Sequence, residues 1–132
     1  LQKAAPVYVS REIKGADGKT EALEIDEDFD RAWRRVGVGL DRVGLNIEDR
    51  DRSAGIYYIR YLDPDYEVKK RNDEGLFSRW FSKEKPVDAP LYRVKLVSDG
   101  NKTTVTAMPD SDKTDPLSTS ARILNLLQEQ VR

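Results

Sequence analysis

The chain has no cysteine and no histidine among its 132 residues. Without cysteine there is no disulfide framework, no thiolate metal site and no thiol nucleophile. The missing histidine removes the commonest general base, the commonest transition-metal ligand and the side chain that titrates near neutral pH. Serines remain, but with no imidazole to activate them and no glycine-serine elbow they do not spell a hydrolase. Nor does a glycine-rich phosphate loop follow a strand, because Val36-Gly37-Val38-Gly39 falls inside a predicted helix. No catalytic residue, metal or cofactor is expected.

An excess of charge of one sign is lacking as well. Lys and Arg number 23 against 24 Asp and Glu, a net charge of −1, so no global field selects nucleic acid or an anionic membrane. Nucleic acid is not expected as a partner. There is also no apolar run near the roughly 18 residues of a spanning helix, and no signal-peptide core. The chain starts at Leu1 rather than Met, which reads as an excised or processed soluble segment. An apolar share of 38% beside 36% charged fits one domain with a small core and long solvated loops. Residues 1–20 read as a flexible segment or a weak strand built on Val7-Tyr8-Val9, and 21–132 as a single domain.

What is present is a clear helix signal. Phe29, Trp33, Val36, Leu40 and Val43 are spaced four, three, four and three apart, which lays one apolar stripe along an α-helix. Asp28 is placed to cap its start, and Gly44 to supply the left-handed residue at its end. Gly37 and Gly39 each cost roughly 1 kcal/mol of helix propensity relative to Ala, and close packing of the helix on a sheet accounts for at least one of them.

Strand signals flank the helix. Leu23 and Ile25 share one side of an extended segment, with Glu24 on the other. After the helix, residues 45–50 pair with Ile56–Leu62 across a polar turn at Asp49–Ser53. Ile56, Tyr58, Arg60 and Leu62 fall on one side and Tyr57, Ile59 and Tyr61 on the other, so both faces carry bulk and neither is expected to be fully buried. Residues of about 63–90 form an insertion too long for an ordinary hairpin loop. Leu91–Ser98, with Tyr92, Val94 and Leu96 on one face, turns at Asp99-Gly100-Asn101 into Lys102–Met108. A last helix starts at Asp115-Pro116, with Pro at its first position, and Leu117, Ala121, Leu124, Leu127 or Gln128, and Val131 recur along it at helical spacing. The order predicts an α+β fold: an antiparallel β-sheet with two helices on one face, the C-terminal helix packed across it.

Charged groups have ordinary explanations. Glu48, Asp49 and Asp51 interleave with Arg50 and Arg52, so a solvated, charge-paired turn is expected rather than a calcium loop. Asp110, Asp112 and Asp115 sit in a Ser/Thr-rich connection and read as turn chemistry. Arg31, Arg34, Arg35 and Arg42 line the polar side of the first helix, read as a solvated face with Asp30 to Arg34 as a helical ion pair, or as a basic face whose Arg31 and Arg34 contact phosphate or an acidic protein surface. The cluster Leu76, Phe77, Trp80 and Phe81 either folds back on the domain or is an exposed apolar patch. We read it as a contact site for a partner or a membrane surface.

The run FDRAWRRVGVGLDRVGLNIEDRDRSAGIYYIRY, then LYRVKLVSDGNKTTVTAM and the final helix, resembles the NlpB/DapX lipoproteins over roughly residues 22–132. The distinctive pieces are the aromatic-Asp-x-x-Trp of the helix, Val-Gly-Leu after it, and Asp-Arg-Ser-x-Gly with a tyrosine six residues on. The resemblance implies a helix-grip fold and a non-enzymatic, lipid-anchored accessory of the machinery that assembles outer-membrane β-barrels. It implies other components of that complex as partners, with this domain periplasmic, and it assigns no site residue. A small apolar ligand held between sheet and helix is the alternative that the same architecture admits. Trp33, Leu124 and Leu127 look large enough to fill that space.

Overall fold

The computed structural model describes residues 9–61, 90–111, 115 and 118–132. Six strands, β1 (Ser10–Lys14), β2 (Thr20–Ile25), β3 (Asn46–Asp51), β4 (Ile56–Arg60), β5 (Leu91–Asp99) and β6 (Lys102–Pro109), form one sheet in the order β1-β2-β6-β5-β4-β3. Every neighbouring pair is antiparallel. Helix α1 (Phe29–Arg42) and helix α2 (Thr119–Val131) pack on the same sheet face and on each other. This is the predicted α+β arrangement. α2 crosses β2, β6 and β1, while α1 lies over β5, β3 and β6.

Register explains why one face is apolar. Leu23 stands opposite Val105, and Val105 opposite Leu96, so one apolar row runs across β2, β6 and β5. Ala107, Val94 and Tyr57 make the next row, and Tyr92, Ile59 and Ile47 another. Against these rows α1 sets Ala32, Trp33, Val36 and Leu40, and α2 sets Ile123, Leu124, Leu127 and Val131, all buried. The space between helices and sheet is therefore occupied by side chains, and each large aliphatic group buried there contributes about 1.5–3 kcal/mol.

The ends of α1 follow local chemistry. Asp28 accepts a hydrogen bond from the Arg31 amide at 3.0 Å, a cap of a kind that contributes about 1 kcal/mol. At the other end the Gly44 amide donates to Asp41 and the Leu45 amide reaches back to Leu40, with Gly44 at φ +77°. That pair of bonds, with Leu40 and Leu45 both buried, is a Schellman closure.

Helix α2 begins at Thr119, where the Asp115 carboxylate accepts from the Thr119 and Ser120 amides and so caps the helix from outside it. The expected first position, Pro116, and Leu117 of the expected stripe lie outside the described residues. Ile123 joins the inward stripe, and Ala121 is only half-buried. The first described strand is Ser10–Lys14, just after Val9, and ends in a turn with Gly18 at φ +79°, while Val7 and Tyr8 lie outside the described residues. Thr20 Oγ1 donates to Asn125 Oδ1 at 2.6 Å, tying β2 to α2.

Both helical glycines have a packing reason. A Cβ on Gly39 would stand 2.8 Å from Leu127 Cδ1, so this glycine permits the approach of α2. A Cβ on Gly37 would stand 2.5 Å from the Tyr57 hydroxyl, so this one permits the approach of the sheet. The two demands are separable by experiment. Gly37→Ala is expected to destabilise the domain by about 1–2 kcal/mol despite its better helix propensity, because the buried tyrosine must move. In a Tyr57→Phe background the same change should be neutral or stabilising by up to about 1 kcal/mol. Urea denaturation of the four proteins measures the coupling, and additive effects would refute the account.

Candidate functional site

One side of α1 and the β3–β4 hairpin enclose a cleft of about 480 Å³. Its floor comes from aromatic stacking. Phe29 and Trp33 lie 5.6 Å apart, and Trp33 and Tyr57 3.9 Å apart, at interplanar angles of 24° and 17°. The Tyr57 hydroxyl donates to the Trp33 carbonyl at 2.7 Å, which fixes the ring beneath Gly37. Burial pushes the Tyr57 phenol above its ordinary pKa, and the nearby Arg50 and Arg52 charges pull partly against that. Tyr57 is thus a neutral structural donor at physiological pH.

The walls are charged. Asp30, Arg34 and Asp41 come from α1, one turn or two apart, with Val38 between the last two. Arg50 and Ile47 come from β3, and Arg52 from the turn that follows it. Asp30 accepts from Arg52 at 2.5 Å rather than pairing with Arg34. The expected helical pair is replaced because the hairpin delivers a guanidinium across the cleft. Arg35, in turn, pairs with Glu27 through Nε and Nη2, and the hydrogen bond to that carboxylate holds its pKa above the ordinary value. Arg34 is left exposed with no ion pair among the described residues, and so is Arg31.

Arg50 lies in a strand where the sequence suggests a turn, since β3 runs on to Asp51. Its guanidinium sits 6.0 Å from the Tyr57 ring centroid. The turn itself is organised by Asp51, whose Oδ1 accepts from Ser53 Oγ and the Ala54 amide; those bonds hold its carboxyl below the ordinary value. Glu48 pairs with Arg60 at 2.6 Å, but Asp49 and Asp51 have no ion pair among the described residues, and all three members of the acidic cluster belong to β3 rather than to a turn. Asp110 pairs with Arg93, while Asp112 lies outside the described residues. Among the described residues no group of three or more acidic side chains is arranged to hold a metal.

Of the predicted contact residues, Arg34 lines the cleft and Arg31 lies one turn before it on the exposed face of α1. Leu76, Phe77, Trp80 and Phe81 lie outside the described residues. Sequence reasoning missed Val38, Arg50 and Tyr57 as members of one surface. The usable signal was Val38 itself, an aliphatic residue off the apolar stripe of its helix and 46% exposed.

A six-stranded antiparallel sheet gripping a C-terminal helix, with a filled interior and its open cleft outside the core, defines a helix-grip-like domain. Residues 12–131 match the model of the outer membrane protein assembly factor BamC-like C-terminal domain, and the chain belongs to that family. It is 40% identical over 130 residues to the outer membrane protein assembly factor BamC of Accumulibacter regalis, covering 96% of this chain and 33% of that protein. The BamC of Thiobacillus denitrificans is 41% identical over 126 residues, 93% of this chain and 34% of that protein. A more distant BamC, from Shewanella sediminis, is 34% identical over 92 residues, 64% of this chain and 22% of its own length. The chain thus spans about a third of the length of the nearer two. These relatives bear the names of assembly factors, not of enzymes.

Proposed function

We propose that the chain is a non-enzymatic protein-interaction domain of a lipid-anchored outer-membrane protein, an accessory component of the β-barrel assembly machinery. The family match across residues 12–131 carries this reading. The absence of cysteine and histidine from the whole sequence supports a role without chemistry. No helix among the described residues is long and apolar enough to cross a membrane, which suits a domain held at the surface by an anchor elsewhere. A small apolar ligand between sheet and helices would need the volume that Leu23, Leu40, Leu124 and Leu127 fill.

The contact residues proposed are Arg31 and Arg34 on α1, with Leu76, Phe77, Trp80 and Phe81 as a second surface. In the full-length lipoprotein, a photo-crosslinking residue placed in turn at Arg31, Phe77, Trp80 and the exposed Val97 is expected to capture other components of the assembly complex from at least one position. If no position captures any such component while the protein remains folded and outer-membrane-associated, the reading fails.

A further inference from the structure

We infer that the cleft between α1 and the β3–β4 hairpin is a docking site for a short peptide segment that carries a carboxylate side chain next to an apolar one. The inference deepens the interaction-domain reading and rests on it. The first observation is a local imbalance in a nearly neutral molecule. Four arginines elsewhere are matched, Arg11 with Asp26, Arg35 with Glu27, Arg60 with Glu48 and Arg93 with Asp110, while Arg31 and Arg42, also without an ion pair among the described residues, lie outside the cleft. In the cleft Arg34 from the helix and Arg50 from the strand both line the walls with no carboxylate in ion-pair reach among the described residues. Two guanidiniums on opposite walls offer paired donors to a single carboxylate.

The second observation is a polarity along the cleft. The Asp30–Arg52 ion pair bridges the two walls at one end. Arg34 is one turn further along α1, and Arg50 two residues back along the opposite wall. Val38 and Ile47 come next, the former exposed and the latter half-buried, and Gly37 beside Val38 adds no side chain to the helix wall above Tyr57. Asp41 ends the helix wall. An occupant therefore places its carboxylate at the arginines and its apolar side chain over Val38 and Ile47, and Asp41 repels a second acid at that end. A polyanion such as a phosphate backbone or a bed of lipid headgroups is a poorer match, because Asp30 and Asp41 lie in the same walls.

The probes are two fluorescein-labelled peptides, Gly-Glu-Glu-Leu-Phe-Gly and Gly-Lys-Lys-Leu-Phe-Gly, followed by anisotropy and by methyl and indole NMR of the whole chain. The Glu peptide is expected to bind and to shift the Val38, Ile47 and Trp33 signals, with the Lys peptide at least tenfold weaker. The double substitution Arg34→Glu with Arg50→Glu should weaken the Glu peptide at least tenfold and turn the preference toward the Lys peptide. Both side chains are exposed, so the melting temperature should stay near that of the parent and serves as the folding control. Failure to bind the Glu peptide more tightly than about 1 mM overturns the inference, as does a charge reversal without effect or shifts confined to another face. Binding of phosphatidylglycerol vesicles that is lost in the same variant, without peptide binding, assigns the cleft to lipid and also overturns it. In cells, crosslinks to assembly components from other faces but none from Val38 reject the cleft and leave the interaction reading intact. Silence from every face rejects that reading instead.

Discussion

Gly55→Ala is expected to cost roughly 3 kcal/mol and to lower the melting temperature by about 10 °C, among the largest effects available to a single methyl group in this chain. Gly55 follows the β3–β4 turn at φ +73°, in the left-handed region that a side chain resists. A Cβ there would stand 2.5 Å from the Leu96 carbonyl oxygen, which is backbone of the central part of the sheet and cannot swing aside. The Gly55 carbonyl also accepts from the Leu96 amide at 2.7 Å, so moving the glycine away breaks a bond between the turn and β5. Thermal melts by circular dichroism measure the loss. A drop under about 2 °C would show that the turn relaxes without disturbing β5. Gly100→Ala makes the control: it shares a positive φ, +63°, but has no atom within 4 Å of the new Cβ. It should cost only about 1–2 kcal/mol, from backbone strain alone.

Trp33→Ala is expected to cost about 3–5 kcal/mol. Trp33 is 8% exposed and lies between Phe29 and Tyr57 in one continuous stack, so its loss empties the middle of three layers. The damage reaches beyond the helix. Tyr57 loses its stacking partner while its hydroxyl remains bonded to the main chain at residue 33, so ring and cleft floor loosen together. Trp33→Phe keeps an aromatic plane there and should cost about 1.5 kcal/mol or less. Guanidinium denaturation followed by Tyr57 ring NMR distinguishes the two variants. Equal destabilisation by Ala and Phe would mean that indole bulk, not the stack, is what the site requires.

How far the sequence could be read depended on the range of the interaction involved. The limits of α1 follow from Asp28 and Gly44, each acting within four residues of itself, and both are where the sequence places them. Alternation in Leu91–Ser98 and the Gly100-Asn101 turn are equally local, and β5 and β6 pair across them as expected. The start of α2 at Thr119 was not legible, because the Asp115 carboxylate satisfies its first amides from four and five residues away. The Asp30 partner was misassigned for a different reason. An i,i+4 pair with Arg34 contributes only a few tenths of a kcal/mol, so a guanidinium that folding brings from residue 52 displaces it easily. Arg34 was singled out on α1, but not the wall opposite, which exists only once β3 packs beside the helix.

The central junction of the sheet has a kinetic consequence. Strands β3 to β6 are joined to neighbours in chain order, and β1 and β2 form their own hairpin, but Leu23 meets Val105 across most of the chain. Two parts that can form locally must therefore find each other late, at the entropic expense of closing a long loop. During vectorial emergence from a ribosome or a secretion channel, β2 has no partner at its inner edge until β6 arrives, and α2 follows last to seal the seam. The nascent domain therefore carries an open sheet edge for most of its synthesis, and the final helix acts as the latch that ends that exposure.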